Sequence, residues 1–223
     1  MRLVGLGPWP GNPKYCRGCF RDLYRKRMGA EIPCSLLFAD VRDSTRLAET
    51  MTPSAFRQIL DRFYETAFDV LVDHDAFVDK FVGDEVIGIF VPAMSDGPHA
   101  RDAIVAGLDL LERTGHRTPR PWIPIGIGVN SGIAYVGAVG TEEHVEFTAL
   151  GDIVNVTARL AGQAGRGEVL AMLQALEMAE LPVAARERRR LELKGKSELT
   201  DVVVLTVDDV ESVRRPPAPA RGR

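Results

Sequence analysis

The chain has 223 residues, with 31 acidic and 28 basic side chains, a net charge of -3, 45% hydrophobic residues and 26% charged ones. That composition is of a folded globular protein and excludes collagen-like, low-complexity and wholly disordered chains. No apolar run approaches the ~20 residues that cross a bilayer, the near-neutral balance offers nucleic acid no whole-chain field, and three cysteines, an odd count, make no disulfide framework. The expectation is therefore a cytoplasmic protein with no membrane insertion and no nucleic-acid partner.

Residues 1–30 read as an irregular arm, broken by Gly5, Gly7, Pro8, Pro10, Gly11 and Pro13. Residues 1–28 hold seven basic side chains against one acid, Asp22. Met1–Pro13 has no continuous apolar stretch and is no secretory signal. Cys16-Arg17-Gly18-Cys19 follows, then a polar helix around Arg21–Met28. Cys16 and Cys19 fit half of a zinc site, a redox pair or two ordinary thiols.

Ser35–Val41 is an apolar run of strand length that closes on Asp40. Asp43-Ser44-Thr45 is a helix-start signal. Pro53 opens a long amphipathic helix with Phe56, Ile59, Leu60, Phe63, Ala67, Val70 and Leu71 on one stripe. Ala76–Val82 and Val86–Val91 form a hairpin around Gly83-Asp84-Glu85. His99–Arg113 is a second helix. Ile123–Asn130 and Ile133–Val139 read as two strands around Ser131-Gly132. A polar loop over Gly140–His144 precedes a helix at Ile153–Ala164. Glu168–Ala171, Met172–Glu180, Arg189–Leu193 and Val202–Val207 are smaller strand and helix pieces, and Pro216–Arg223 is a flexible tail. The histidines at 74, 99, 116 and 144 read as surface residues.

This order, β-α-β-β-α-β-β with additions, predicts an α+β sandwich on a ferredoxin-like split βαβ core. The division expected is an arm over 1–33, a catalytic domain over 34–208 and a tail over 209–223.

Several residues can do chemistry. In a split βαβ plan the strand ending in Asp40 lies beside the hairpin carrying Asp84, and two carboxylates at neighbouring strand ends can seat Mg²⁺. Singly, each is equally a helix-approach or turn residue. The loop from Val41 to Thr45 opens a helix whose N–H groups can hold phosphate. Lys80, in an apolar stretch, either faces inward to meet a ligand or points to solvent beside Asp79. Asn155 and Arg159, four residues apart, share a helix face and can hold a ribose and a transferring phosphate, or form a solvated edge. Lys194-Gly195-Lys196 is a polar turn or a triphosphate contact.

Five ordered blocks, FADVRDST, VDKFVGDEVIGIF, IPIGIGVNSGIAYVGAVG, EFTALGDIVNVTARL and LELKGK, resemble the catalytic domain of class III nucleotide cyclases over about residues 34–207. The resemblance implies the nucleotide cyclase fold and conversion of a nucleoside triphosphate to its 3′,5′-cyclic monophosphate and pyrophosphate, with two Mg²⁺ or Mn²⁺ ions per site. By position, Asp40, the Val41 carbonyl and Asp84 match metal ligands. Ser44 and Thr45 lie in the phosphate loop. Asn155 matches the ribose-orienting residue, Arg159 the residue that stabilises charge on the phosphate, and Lys194 a triphosphate contact. Lys80 and Thr148 match the base-recognition pair. A lysine donor suits adenine N1 and a hydroxyl can accept from N6, which favours ATP. At this position the sequence resembles the bacterial subgroup that carries threonine; the commonest residue there is aspartate. Asp43 stands where many members have a small residue, either as a third carboxylate near the phosphates or as a helix cap.

In this family the metal ligands come from one domain and the base, ribose and phosphate residues from another. One chain carrying both sets therefore implies an adenylate cyclase that works as a head-to-tail homodimer. The rivals are a guanylate cyclase, a silent nucleotide-binding regulatory module, and a diguanylate cyclase suggested by VGDEV alone.

Overall fold

The computed structural model describes residues 7–141, 144–183, 186–193 and 199–214, with the backbone alone of Cys19 and Tyr24. The elements run β1 (Pro8–Trp9), β2 (Asn12–Cys16), α1 (Arg17–Arg25), β3 (Gly29–Val41), α2 (Ser44–Glu49), α3 (Pro53–Asp73), β4 (Phe77–Val82), β5 (Glu85–Phe90), α4 (His99–Arg113), β6 (Ile125–Gly140), β7 (Val145–Leu150), α5 (Asp152–Gln163), β8 (Val169–Met172), α6 (Leu173–Met178), β9 (Arg188–Leu191), β10 (Thr200–Leu205) and α7 (Val210–Arg214). The main sheet is ordered β4-β5-β3-β6-β8-β10-β9, with β7 on the second half of β6. Its first four strands are the split βαβ core expected from the sequence, with α3 and α4 as the connections.

Local chemistry explains the helices. Thr52 caps α3, its hydroxyl accepting from the Ala55 N–H, and Pro53 takes the first turn, where a missing N–H costs nothing. The stripe of α3 buries Phe63, Ala67, Val70 and Leu71. They join Leu37, Ala39 and Val86 of the sheet and Ile104, Leu108 and Leu111 of α4 in the largest core cluster.

The other face of the sheet takes α5. Glycine makes this possible: a Cβ on Gly128 would stand 2.5 Å from the Ala161 nitrogen and 2.6 Å from the Thr157 carbonyl oxygen. The helix backbone rests directly on the strand there, so an alanine would force it away.

Three readings from sequence are corrected. Ser131-Gly132 is not a turn: β6 is one strand from Ile125 to Gly140, paired with β3 without a break from Ile125 to Gly137. The Ser131 hydroxyl lies 2.6 Å from that of Ser35, which in turn lies 2.8 Å from His99 Nδ1. This interior contact satisfies polar atoms that read as turn signals. His99 is thus buried, and burial lowers its pKa; His74 is tied to Asp109 and His116 to Thr114. Second, His99 leaves the surface set, and the stretch after the polar loop, which the sequence left unassigned, is a strand, β7. Third, the described part of the arm is regular: residues 8–16 form a hairpin, and the helix runs over Arg17–Arg25, not from Arg21 to Met28. The tail over 215–223 lies outside the described residues.

The arm folds because it carries aromatic side chains. Trp9, 5% exposed, stacks on Phe20 with ring centroids 3.7 Å apart, and both rings meet Phe147. Trp9 also meets Phe77. The Gly11 carbonyl accepts from the Val78 N–H at 2.9 Å. The buried Asn12 donates through Nδ2 to the Ala76 carbonyl at 2.8 Å. Trp9→Ala is expected to cost about 3 kcal/mol of stability, read by urea denaturation of the full chain. An unchanged midpoint would mean that the arm does not share the fold of the sheet.

Candidate active site

Asp40 sits one residue from the end of β3, opposite Glu85 on β5 and Gly126 on β6. The Val41 N–H donates to the Asp84 carbonyl at 3.2 Å, which fixes the Asp84 turn against the end of β3. Gly83, at φ +63°, turns that corner in the left-handed region, and the Tyr64 hydroxyl donates to its carbonyl. Asp40, Val41 and Asp84 thus lie together. Ser44, Thr45 and Asp84 line one cleft at this corner, with Phe56 and Leu60 of α3.

The electrostatics of the corner are those of crowded carboxylates. Burial raises the Asp40 carboxyl, Arg42 pulls it down and Asp84 pushes it up. Glu85 is pushed up to about 7, by burial first and then by Asp40 and Asp84. A divalent cation would relieve this repulsion, and an all-oxygen donor set suits Mg²⁺ or Mn²⁺. Among the described residues no three His, Cys, Asp or Glu side chains gather into a ready cage. Two carboxylates and a backbone carbonyl therefore fit a cation that keeps substrate oxygens in its shell.

Arg42 meets Asp40 at 2.5 Å and donates to the Gly162 and Ala164 carbonyls at 3.0 and 3.3 Å. It ties the carboxylate corner to the C-terminal end of α5. Asp43 does not cap α2: it adopts a left-handed conformation, makes no cap hydrogen bond, and pairs with Arg166, whose Nε donates to Oδ2 at 3.0 Å. The third carboxylate is thereby neutralised, which sequence alone left open.

Lys80 and Thr148 meet elsewhere, where β7 lies over β4. The Lys80 ammonium donates to Glu146 at 2.6 Å. Burial works against its charge, but Glu146 and Asp79 outweigh this and raise its pKa. Thr148, 7% exposed, donates to Asp79 at 2.8 Å. Lys80 also lines a cleft of about 580 Å³ whose far wall is the arm, with Trp9, Arg17, Phe20 and Arg21. The arm residues were absent from the sequence reading of the site, and only the aromatic spacing of Trp9 and Phe20 could have suggested them.

Asn155 and Arg159 stand on α5. Asn155 is exposed, and neither side chain has a hydrogen bond or ion pair among the described residues. Asn155 lies about 10 Å of helix upstream of the Gly162 carbonyl that Arg42 holds. The structure therefore gathers Asp40, Val41, Asp84, Ser44 and Thr45 at one corner, and Lys80 and Thr148 at another. It joins Asn155 and Arg159 to neither by direct contact. Lys194 lies outside the described residues.

A family profile described as "Adenylate and Guanylate cyclase catalytic domain" matches residues 27–206. Adenylate cyclase 1 of Rhizobium meliloti is 30% identical over 132 residues, which are 56% of this chain and 20% of that protein, so the chain matches one fifth of that relative's length. The crystal structure of the guanylyl cyclase Cya2 superposes with a TM-score of 0.70 at 26% identity, covering 79% of this chain and 92% of that one. The adenylyl cyclase CyaB from P. aeruginosa shares the fold, with a TM-score of 0.70 at 21% identity, covering 80% and 96%. Among the described residues no helix is long and apolar enough to cross a membrane.

Arg42→Met is expected to cost about 2 kcal/mol, because it removes charge-assisted hydrogen bonds to two carbonyls in a half-buried setting. Chemical denaturation reads this. An unaltered midpoint would show that Arg42 does not couple the corner to α5.

Proposed function

The chain belongs to the adenylate and guanylate cyclase catalytic domain family, and from that premise we propose that it is a cytoplasmic adenylate cyclase. It converts ATP to 3′,5′-cyclic AMP and pyrophosphate at sites shared across a head-to-tail homodimer. The observation that supports ATP most directly is the corner where β7 meets β4. There a lysine donor on β4 and a threonine hydroxyl on β7 are each held by a carboxylate of the other strand, Glu146 and Asp79. Adenine needs a donor at N1 and an acceptor at N6; guanine presents the reverse, and a mismatched buried group costs about 1–3 kcal/mol.

In this reading Asp40, Asp84 and the Val41 carbonyl would hold two Mg²⁺ or Mn²⁺ ions, whose chemistry when bound would be to offset the triphosphate charge and to lower the pKa of the 3′-hydroxyl. Ser44 and Thr45 flank the phosphates at the start of α2. Lys80 donates to purine N1 and Thr148 accepts from N6. Asn155 orients the ribose so that O3′ is in line with the α-phosphorus. Arg159 neutralises charge that builds on the α-phosphoryl oxygens during transfer. Lys194 meets the triphosphate.

The case for sharing rests on placement. Among the described residues Asn155 and Arg159 have no hydrogen-bond or ion-pair partner, and they stand apart from the carboxylate corner. A second copy, turned head to tail, supplies the missing half of each site and gives two equivalent sites. Asp40→Ala and Asn155→Ala proteins should each be inactive alone. An equimolar mixture should regain about a quarter of wild-type activity, since half of the dimers are mixed and each holds one intact site. No recovery, with subunit exchange shown by differently tagged chains, would contradict shared sites.

The likeness to guanylyl cyclase Cya2 favours a second reading, with GTP as substrate. A larger kcat/KM for GTP than for ATP would select it.

A further inference from the structure

Thr148 is a weak discriminator on its own, because a hydroxyl both donates and accepts. It would face adenine N6 or guanine O6 by rotating its hydrogen. Its surroundings remove that freedom. The Thr148 hydroxyl donates to Asp79 Oδ2 at 2.8 Å, and with its hydrogen spent it has only lone pairs to offer. The other Asp79 oxygen, Oδ1, is buried and has no hydrogen-bond partner among the described residues. Asp79 lines the same cleft as Lys80.

The backbone accounts for this placement. Val78 pairs with Gly88 and Lys80 with Ile87, so Asp79 is the extra residue of a β-bulge in β4. In an unbroken strand Asp79 and Lys80 would face opposite sides of the sheet. The bulge re-aims one of them, and both side chains reach β7: Lys80 at Glu146 and Asp79 at Thr148.

We infer that Asp79 is a positioning residue for purine selection: it holds the Thr148 hydroxyl as an acceptor, so that the Asp79–Thr148 pair presents only lone pairs to the ligand's exocyclic group. An amino group, as on adenine, is accepted. A carbonyl, as on guanine, meets repelling oxygens. The carboxylate missing at position 148 is supplied from the neighbouring strand and acts through the threonine. The inference rests on the adenylate cyclase reading of the site and adds to it the residue that makes a threonine selective.

The test compares ATP and GTP on the full chain with Mn²⁺, reading both Kd and kcat/KM for each nucleotide. Asp79→Asn keeps the shape but lets the amide donate to Thr148, which frees the hydroxyl hydrogen. The ATP-over-GTP ratio should fall about tenfold or more. Adding Thr148→Asp to Asp79→Asn should restore it, because a carboxylate at 148 needs no orienting partner. Thr148→Val should lower the ratio as far as Asp79→Asn, and the double variant should go no further. This holds even if one single variant folds poorly.

Equal losses for ATP and GTP in Asp79→Asn would overturn the inference and leave Asp79 as a strand tie. A wild-type preference for GTP would overturn it as well. A wild-type protein that binds both nucleotides but forms no cyclic product would remove the enzyme reading, while the Kd ratios would still decide the role of Asp79.

Discussion

Thirteen consecutive register pairs join β3 to β6, from Gly29 opposite Gly137 to Val41 opposite Ile125. Each candidate half-site refers to this ladder. At one end it sets Asp40 beside Glu85 and holds the Asp84 turn through the Val41 N–H. Close to that same end it carries Gly126 and Gly128, on which the backbone of α5 and its C-terminal cap rest, and so places the helix that bears Asn155 and Arg159. At the other end β6 continues to pair with β7, which brings Thr148 and Glu146 onto β4. A single antiparallel pairing therefore spaces the metal corner, the ribose and phosphate helix, and the base corner. The register cannot slip by one residue without turning Asp40 away from the corner and carrying Phe38 to the opposite face of the sheet, which Leu37 and Ala39 fill.

Much of this was legible in the residues. The helix at 99–113 agrees with its apolar stripe to the residue, and the 53–73 helix announces itself by Pro53 and the spacing of Phe63, Ala67, Val70 and Leu71. The hairpin around Gly83-Asp84 was visible because glycine and aspartate are cheap at a turn. The unity of β6 was not visible. Ser131-Gly132 carries turn chemistry, and only the buried partners Ser35 and His99, remote in sequence, make that serine a strand residue. Nor was the arm. Its Gly and Pro do break helices and long strands, but Trp9 and Phe20 bury against Phe77 and Phe147 from the far side of the chain. Local propensity cannot report such tertiary contacts.

The site shows the same division. Asp40, Asp84, Lys80, Asn155 and Arg159 could be singled out by residue type and spacing. Their partners could not. Arg42 reaches the end of α5 across 120 residues, Arg166 neutralises Asp43 across 123, and Asp79 takes the Thr148 hydrogen across 69. These contacts decide charge and hydrogen-bond polarity, and they come from the fold. They also change how the net charge of -3 is understood: the basic arm lies beside the base corner and the crowded acids at the other, which would take up cations with the substrate.

The central claim is that this fold cyclises ATP. Purified full chain incubated with ATP and Mn²⁺, with products separated by chromatography, tests it directly. The account predicts 3′,5′-cyclic AMP and pyrophosphate in equal amounts, lost in Asp40→Ala. Formation of ADP or AMP without cyclic nucleotide, or no turnover of ATP, would contradict it.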